Sequence, residues 1–123
     1  MLRISEAESQ VMEIVWRDGA AGSDTILREL GEPNGWAETT TRTLITRLLR
    51  KKALASSRDG GRVIYRPLIA RTDYVRAESQ SLLDRLFDGG VGPFVAQFAE
   101  SKALTARDIE IMKELLAGIE DDQ

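Results

Sequence analysis

Apolar residues recur along the chain with two different periods, and the change of period marks out its elements. Ala7, Val11, Ile14 and Val15 stand at i, i+4, i+7 and i+8, the stripe of a helix that buries one face. Ser5 and Glu8 ahead of that stripe form a capping box, and Gly19 closes the helix. Ser23 predicts the cap of a short second helix, with Ile26, Leu27 and Leu30 inward and Gly31 at its end. The stretch Gly31–Gly35 then reads as a turn. A third helix is predicted from about Glu38 to Lys52. Beyond it the period falls to two, and Leu54–Arg58 and Arg62–Pro67 read as a hairpin around Asp59-Gly60-Gly61.

The remaining chain is helical in pattern. Thr72 predicts the cap of a helix carrying Val75, Leu82, Leu83, Leu86 and Phe87, which stops at Gly89-Gly90. A short helix follows Gly92-Pro93 with Phe94, Val95 and Phe98 apolar. Thr105–Asp108 resembles a capping signal for the last helix, in which Ile109, Met112, Leu116 and Ile119 are spaced as an a/d seam. Glu120–Gln123 is expected to fray. The chain is therefore predicted to be mainly α with a small β-hairpin: an N-terminal winged helix-turn-helix over residues 1–69 and a C-terminal three-helix unit over residues 70–123. So small a helical unit cannot bury this much Leu, Ile and Phe alone. Either the seam packs back on the first domain or it pairs with a second copy; the second copy is favoured, held through Leu82, Leu83, Leu86, Phe87, Phe94, Phe98, Ile109, Met112, Leu116 and Ile119.

The third helix carries the most chemistry. At helical spacing, Thr41, Leu44, Ile45 and Leu48 fall on one face, while Thr39, Arg42, Thr43, Thr46, Arg47 and Arg50 fall on the other. A solvated face would mix acids with bases for i,i+4 pairing, yet no acid follows Glu38 within the helix. Threonine is a poor helix former, and five of them lie within Thr39–Thr46. Short hydroxyls beside arginines suit phosphates and base edges. The wing adds Arg58, Arg62 and Arg66.

Charge changes the picture only once its distribution is read. The 123 residues hold 17 basic and 20 acidic side chains, which taken as a total argues against nucleic acid. Residues 39–66, however, hold 8 basic residues and a single acid, Asp59, a concentrated basic footprint inside an acidic protein. The 42% hydrophobic content is that of a globular domain. With no Cys and no His, disulfides, thiolate nucleophiles, histidine bases and Cys/His metal sites are excluded. Gly89-Gly90-Val91-Gly92 lacks the Lys-Ser/Thr of a phosphate loop, and no serine stands in a nucleophile elbow. No enzyme, no cofactor and no metal is expected. Apolar runs are too short to span a membrane, the first ten residues do not form a signal peptide, and a reducing cytoplasm is the expected compartment. Trp16 and Trp36 are read as packing residues.

Three functions remain open on these residues. The Thr/Arg face favours double-stranded DNA; a protein-interaction module binding an acidic partner through the same basic face is the alternative. A small-molecule sensor is disfavoured, because nothing polar converges in the C-terminal unit.

The chain also resembles the penicillinase-repressor (BlaI/MecI-type) family, to which copper-responsive repressors are related. The resemblance is carried by Ile4–Glu8 with Val11-Met12 and Val15-Trp16, by Thr40 with Arg42–Leu48, by Tyr65, and by Leu86-Phe87, Val95–Ala99 and Leu104-Thr105. It implies a dimeric winged-helix repressor that binds a palindromic operator, with the third helix in the major groove. On that basis Thr40, Arg42, Thr43, Thr46 and Arg47 form the operator-contacting set; the basic face and the wing themselves add Thr39, Arg50, Lys51 and Arg62. β-Lactam-responsive members are cut by a sensor protease before a phenylalanine. The matching bond is Gln97–Phe98, where those members have Asn before Phe. The Cys-x-Cys of copper-responsive members is absent.

Overall fold

The computed structural model describes residues 2–121. The chain runs α1 (Glu6–Asp18), β1 (Ala21–Gly22), α2 (Ser23–Asn34), α3 (Glu38–Arg50), β2 (Leu54–Asp59), β3 (Arg62–Pro67), α4 (Arg71–Leu86), α5 (Val91–Glu100) and α6 (Ala106–Asp121). It divides into two compact units, one up to Val75 and one from Arg76 onward.

The first unit is a winged helix-turn-helix. The capping box forms as expected: Ser5 Oγ accepts from the Glu8 amide at 3.1 Å, and Glu8 Oε1 accepts from the Ser5 amide at 2.8 Å. Val11, Met12, Ile14 and Val15 of α1 pack on Ile26 and Leu30 of α2, on Leu44, Ile45 and Leu48 of α3, and on Ala53, Leu54 and Tyr65 of the sheet. Each fully buried large aliphatic among them adds about 1.5–3 kcal/mol by leaving water. Leu27 is only half-buried.

α2 runs past Gly31 to Asn34, so the expected turn is helix. Gly35 adopts the left-handed conformation; its amide donates to Glu32 O and the Trp36 amide donates to Gly31 O. These two bonds are a Schellman termination, placed one turn later than Gly31 suggested. The Asn34 side-chain amide donates to Leu30 O at 2.9 Å and satisfies another of the last carbonyls. At the other end Gly22, not Ser23, is the N-cap. α3 stops at Arg50, with Lys51 as its C-cap and Lys52 at φ 64°, so neither lysine is helical as expected.

The sheet has three strands, antiparallel, in the order β1-β3-β2. The two-residue β1, which the sequence pattern did not reveal, pairs Ala21 with Tyr65 and Gly22 with Ile64. β2 extends to Asp59, which faces Arg62. The turn positions are Gly60 and Gly61, both at positive φ (59° and 83°), the requirement of a two-residue I′ hairpin.

Trp16 and Trp36 are packing residues. Trp16 Nε1 donates to Ile69 O at 2.9 Å and its ring stacks on Tyr74 at 5.4 Å, while Trp36 lies against the core. Arg71 pairs with Glu13 at 3.0 Å. These contacts fasten the first turn of α4 to the winged helix. Thr72 lies inside α4 and does not cap it.

In the second unit, α5 starts at Val91 on a Gly90 N-cap, three residues earlier than expected. α6 begins on a second capping box, Thr105 with Asp108, at 3.0 Å in both directions. Those bonds from Thr105, backbone first, hold the Asp108 carboxyl below the usual carboxylate range. Glu120 and Asp121 are helical, not frayed; the other two residues of the expected tail, 122 and 123, lie outside the described residues. Phe87, Phe94 and Phe98 form an edge-to-face series with centroids 5.4 and 5.0 Å apart. Phe98 is nevertheless 39% exposed, and none of the described residues of this unit is fully buried.

Candidate nucleic-acid interface

α3 turns its two chemistries to opposite sides. Thr41, Leu44, Ile45 and Leu48 are buried, while Thr39, Thr40, Arg42, Thr43, Thr46, Arg47 and Arg50 are exposed. Thr39, Arg42, Thr43, Thr46, Arg47 and Arg50 together line an open groove of about 480 Å³. Thr40 lies outside that lining. The expected face is thus brought together on one helix, anchored from behind by the aliphatic core.

The threonine hydroxyls are already used as donors. Thr43 Oγ1 donates to Thr39 O and Thr46 Oγ1 donates to Arg42 O, each at 2.9 Å. This satisfies the hydroxyl hydrogen within the helix. What the two side chains offer outward is a methyl group and an acceptor oxygen. A methyl suits the thymine 5-methyl, and an acceptor suits the exocyclic amino groups of adenine and cytosine.

Lys51 is not part of this face. Its ammonium donates to Glu8 Oε1 at 2.6 Å and to Arg3 O at 2.8 Å. Glu8 is 1% exposed. Burial, the largest influence, pushes the Glu8 carboxyl up; the Lys51 ammonium and the Ser5 hydrogen bonds outweigh it and leave the group below its ordinary value. Lys51 is therefore tied to the core behind α3.

Arg62 lies at the start of β3 with its guanidinium on Asp24 Oδ2 at 2.7 Å, and that contact holds the Asp24 carboxyl below the usual range. Arg42 makes a similar pair with Glu38 at 2.8 Å. The sequence reading missed both acids. The Glu38–Arg42 spacing of four was a legible signal, whereas Asp24 and Arg62 are 38 residues apart and only the fold joins them. Arg58 and Arg66 are exposed on the wing.

The apolar residues expected at a dimer seam are distributed unevenly. Leu86, Phe98, Ile109, Leu116 and Ile119 are exposed, whereas Leu82, Leu83, Phe87, Phe94 and Met112 are half-buried. Gln97 and Phe98 lie in the last turns of α5. Among the described residues no group of acids could hold a metal ion, and no helix is long and apolar enough to cross a membrane.

Comparison with known proteins places these features in a family. The sequence profile described as Penicillinase repressor matches residues 4–118. The penicillinase repressor of Bacillus licheniformis is 30% identical over 114 residues, 93% of this chain and 89% of that protein. The methicillin resistance regulatory protein MecI of Mammaliicoccus sciuri is 31% identical over 113 residues, 92% of each chain. Among solved structures, the DNA-binding domain of the repressor BlaI is similar with a TM-score of 0.54 and 32% identity, covering 59% of this chain and 89% of that one. The B. licheniformis BlaI monomer in complex with the blaP half-operator gives 0.53 at 32% identity, over 58% and 88%. The chain belongs to the penicillinase repressor family, a family of repressors and not of enzymes.

Proposed function

We propose that this protein is a dimeric transcriptional repressor that binds a palindromic operator in double-stranded DNA. Residues 1–69 supply the DNA-binding domain and residues 70–123 the dimerisation domain. The observation that carries the reading is the exposed Thr/Arg face of α3, whose six groove-lining residues contain no acid. α3 enters the major groove, where Arg42 and Arg47 meet base edges, Thr39, Thr40, Thr43 and Thr46 supply methyls and acceptors, and Arg50 meets phosphate. Arg62 and its neighbours on the wing meet the flanking backbone. The complex of BlaI with a half-operator, at 32% identity, supports this assignment.

The test is to recover the duplexes this protein retains from a random-sequence pool and to measure their binding at two salt concentrations. The reading expects one enriched palindrome, bound with an affinity that falls steeply as salt rises. An unenriched pool, with the basic face binding acidic peptides instead, would support the interaction-module alternative.

The dimer rests on the apolar side chains of α6 and α5 that the single chain leaves in water. A second copy covers them, and two half-sites held by one dimer gain from effective concentration. Release from DNA follows from the same arrangement. Cutting Gln97–Phe98 by a sensor protease separates α6 from the rest of the chain and abolishes the dimer's advantage, with every DNA-facing residue intact. The cut bond lies within α5, so the protease must first unwind that helix end. A chain ending at Gln97 should lose operator binding; undiminished binding by it would exclude this switch.

A further inference from the structure

The two basic elements of the DNA-facing surface each carry a carboxylate of their own. On α3, Arg42 donates to Glu38 one turn earlier. On the wing, Arg62 donates to Asp24, in the first turn of α2. The Asp24 carboxylate is seated closely: a Cβ on Gly22 would meet its Oδ1 at 2.8 Å, with the Arg62 guanidinium 3.8 Å away. All four side chains are more than half exposed, where ion pairs add little to stability. Among the described residues, Arg47 and Arg50 on α3 and Arg58 and Arg66 on the wing are thus without an acid, whereas Arg42 and Arg62 are already answered.

We propose that Glu38 is a specificity-determining residue that holds Arg42 in reserve, lowering affinity for arbitrary DNA more than for the operator, and that Asp24 holds Arg62 in reserve against DNA of any sequence. The inference rests on the DNA-binding reading above. On an arbitrary duplex a phosphate must displace a carboxylate from the guanidinium, so one ion pair replaces another, and the displaced carboxylate is left beside the phosphates. On the operator the same displacement is offset by contacts that no carboxylate supplies, such as a bidentate guanine edge for Arg42. The effect is to remove part of the sequence-independent attraction that an excess of arginine creates.

Glu38→Gln and Asp24→Asn test this, each keeping the shape and an acceptor oxygen while removing the charge. Each is compared with the wild-type chain on a random-sequence duplex and on the duplex the wild type selects from a random pool, with a thermal melt to show that the fold is intact. The expected result is a rise of about two- to fivefold in affinity for the random duplex per variant. The salt dependence should steepen by about one unit of slope, and the preference for the selected duplex should narrow in Glu38→Gln and hold in Asp24→Asn. Unchanged binding of the random duplex would overturn the proposal. So would a variant that loses preference at one base position, since the carboxylate would then itself be reading a cytosine amino group. A wild-type chain that binds neither duplex would overturn the DNA reading, and this inference with it; a wild type that binds while both variants match it would overturn the inference alone.

Discussion

At the scale of single residues, two polar groups in the core of the winged helix have measurable consequences. Thr41 is fully buried on α3 and its hydroxyl finds no hydrogen-bond partner among the described residues. An unsatisfied buried hydroxyl costs about 1–3 kcal/mol, so Thr41→Val, of similar shape, should raise stability by about 1 kcal/mol. A denaturant melt of the two chains checks this, and an unchanged or lowered midpoint counts against it. Glu8 is a mixed case: its buried Oε1 is answered by the Lys51 ammonium and the Ser5 amide, while its Oε2 finds no hydrogen-bond partner among the described residues. Its folded-state value lies below the ordinary 4.5, so its contribution is complete above that value and is lost as pH falls through the lower one. Stability should therefore decline on acidification below about pH 4.5, and Glu8→Gln should flatten that decline. Lys51→Ala leaves the carboxylate buried and unpaired, and should destabilise the fold by about 2 kcal/mol. A Lys51 variant that melts like the wild type but binds DNA weakly would instead restore Lys51 to the operator-contacting set.

At the scale of elements, α3 is where local sequence and fold agree most closely. Its aliphatic side and its Thr/Arg side were both legible, because a helix with one buried face sorts residues by spacing alone. The capping boxes at Ser5 and Thr105 were legible for the same reason: each is complete within four consecutive residues. What was not legible depends on contacts distant in sequence. β1 is two residues long and exists only because Ala21 and Gly22 meet Tyr65 and Ile64; no period can show in so short a run. Gly31 read as a helix stop, yet burial of Leu30 and the Schellman bonds to Gly35 and Trp36 carry α2 one turn further. Lys51 reads as part of the basic face in sequence, and the fold turns it to Glu8. For α3 itself, the back-bonded hydroxyls lead to a further expectation. Thr43→Val and Thr46→Val keep the outward methyl and lose the acceptor, so each should lower preference where an amino group is read, by about 1–3 kcal/mol. Replacement by Ser keeps the acceptor and loses the methyl, and should weaken preference for thymine instead. Binding to a panel of single-base operator variants separates the two; identical profiles for Val and Ser would show that neither group reads a base.

For the whole molecule, a winged helix with its own buried core is followed by a helical unit that leaves Leu86, Phe98, Ile109, Leu116 and Ile119 exposed. Leu116, 59% exposed on α6, should lie within the dimer, and Leu116→Asp should convert a species near twice 13.7 kDa into monomer by light scattering, because a charge in an apolar interface has no partner. A wild-type monomer at micromolar concentration would remove the dimer and the release mechanism that depends on it. Whether the exposed face of α3 reads DNA sequence is tested through Arg47, a groove-lining arginine with no competing acid among the described residues. The measurement is the ratio of affinities for the selected duplex and for a random duplex, in the wild type and in Arg47→Ala, across a salt titration. Arg47→Ala should lower affinity for the selected duplex by about 1–3 kcal/mol and shrink the ratio, with binding to random DNA weakened far less. A ratio that stays the same while both affinities fall together would show that the face attracts DNA without reading it.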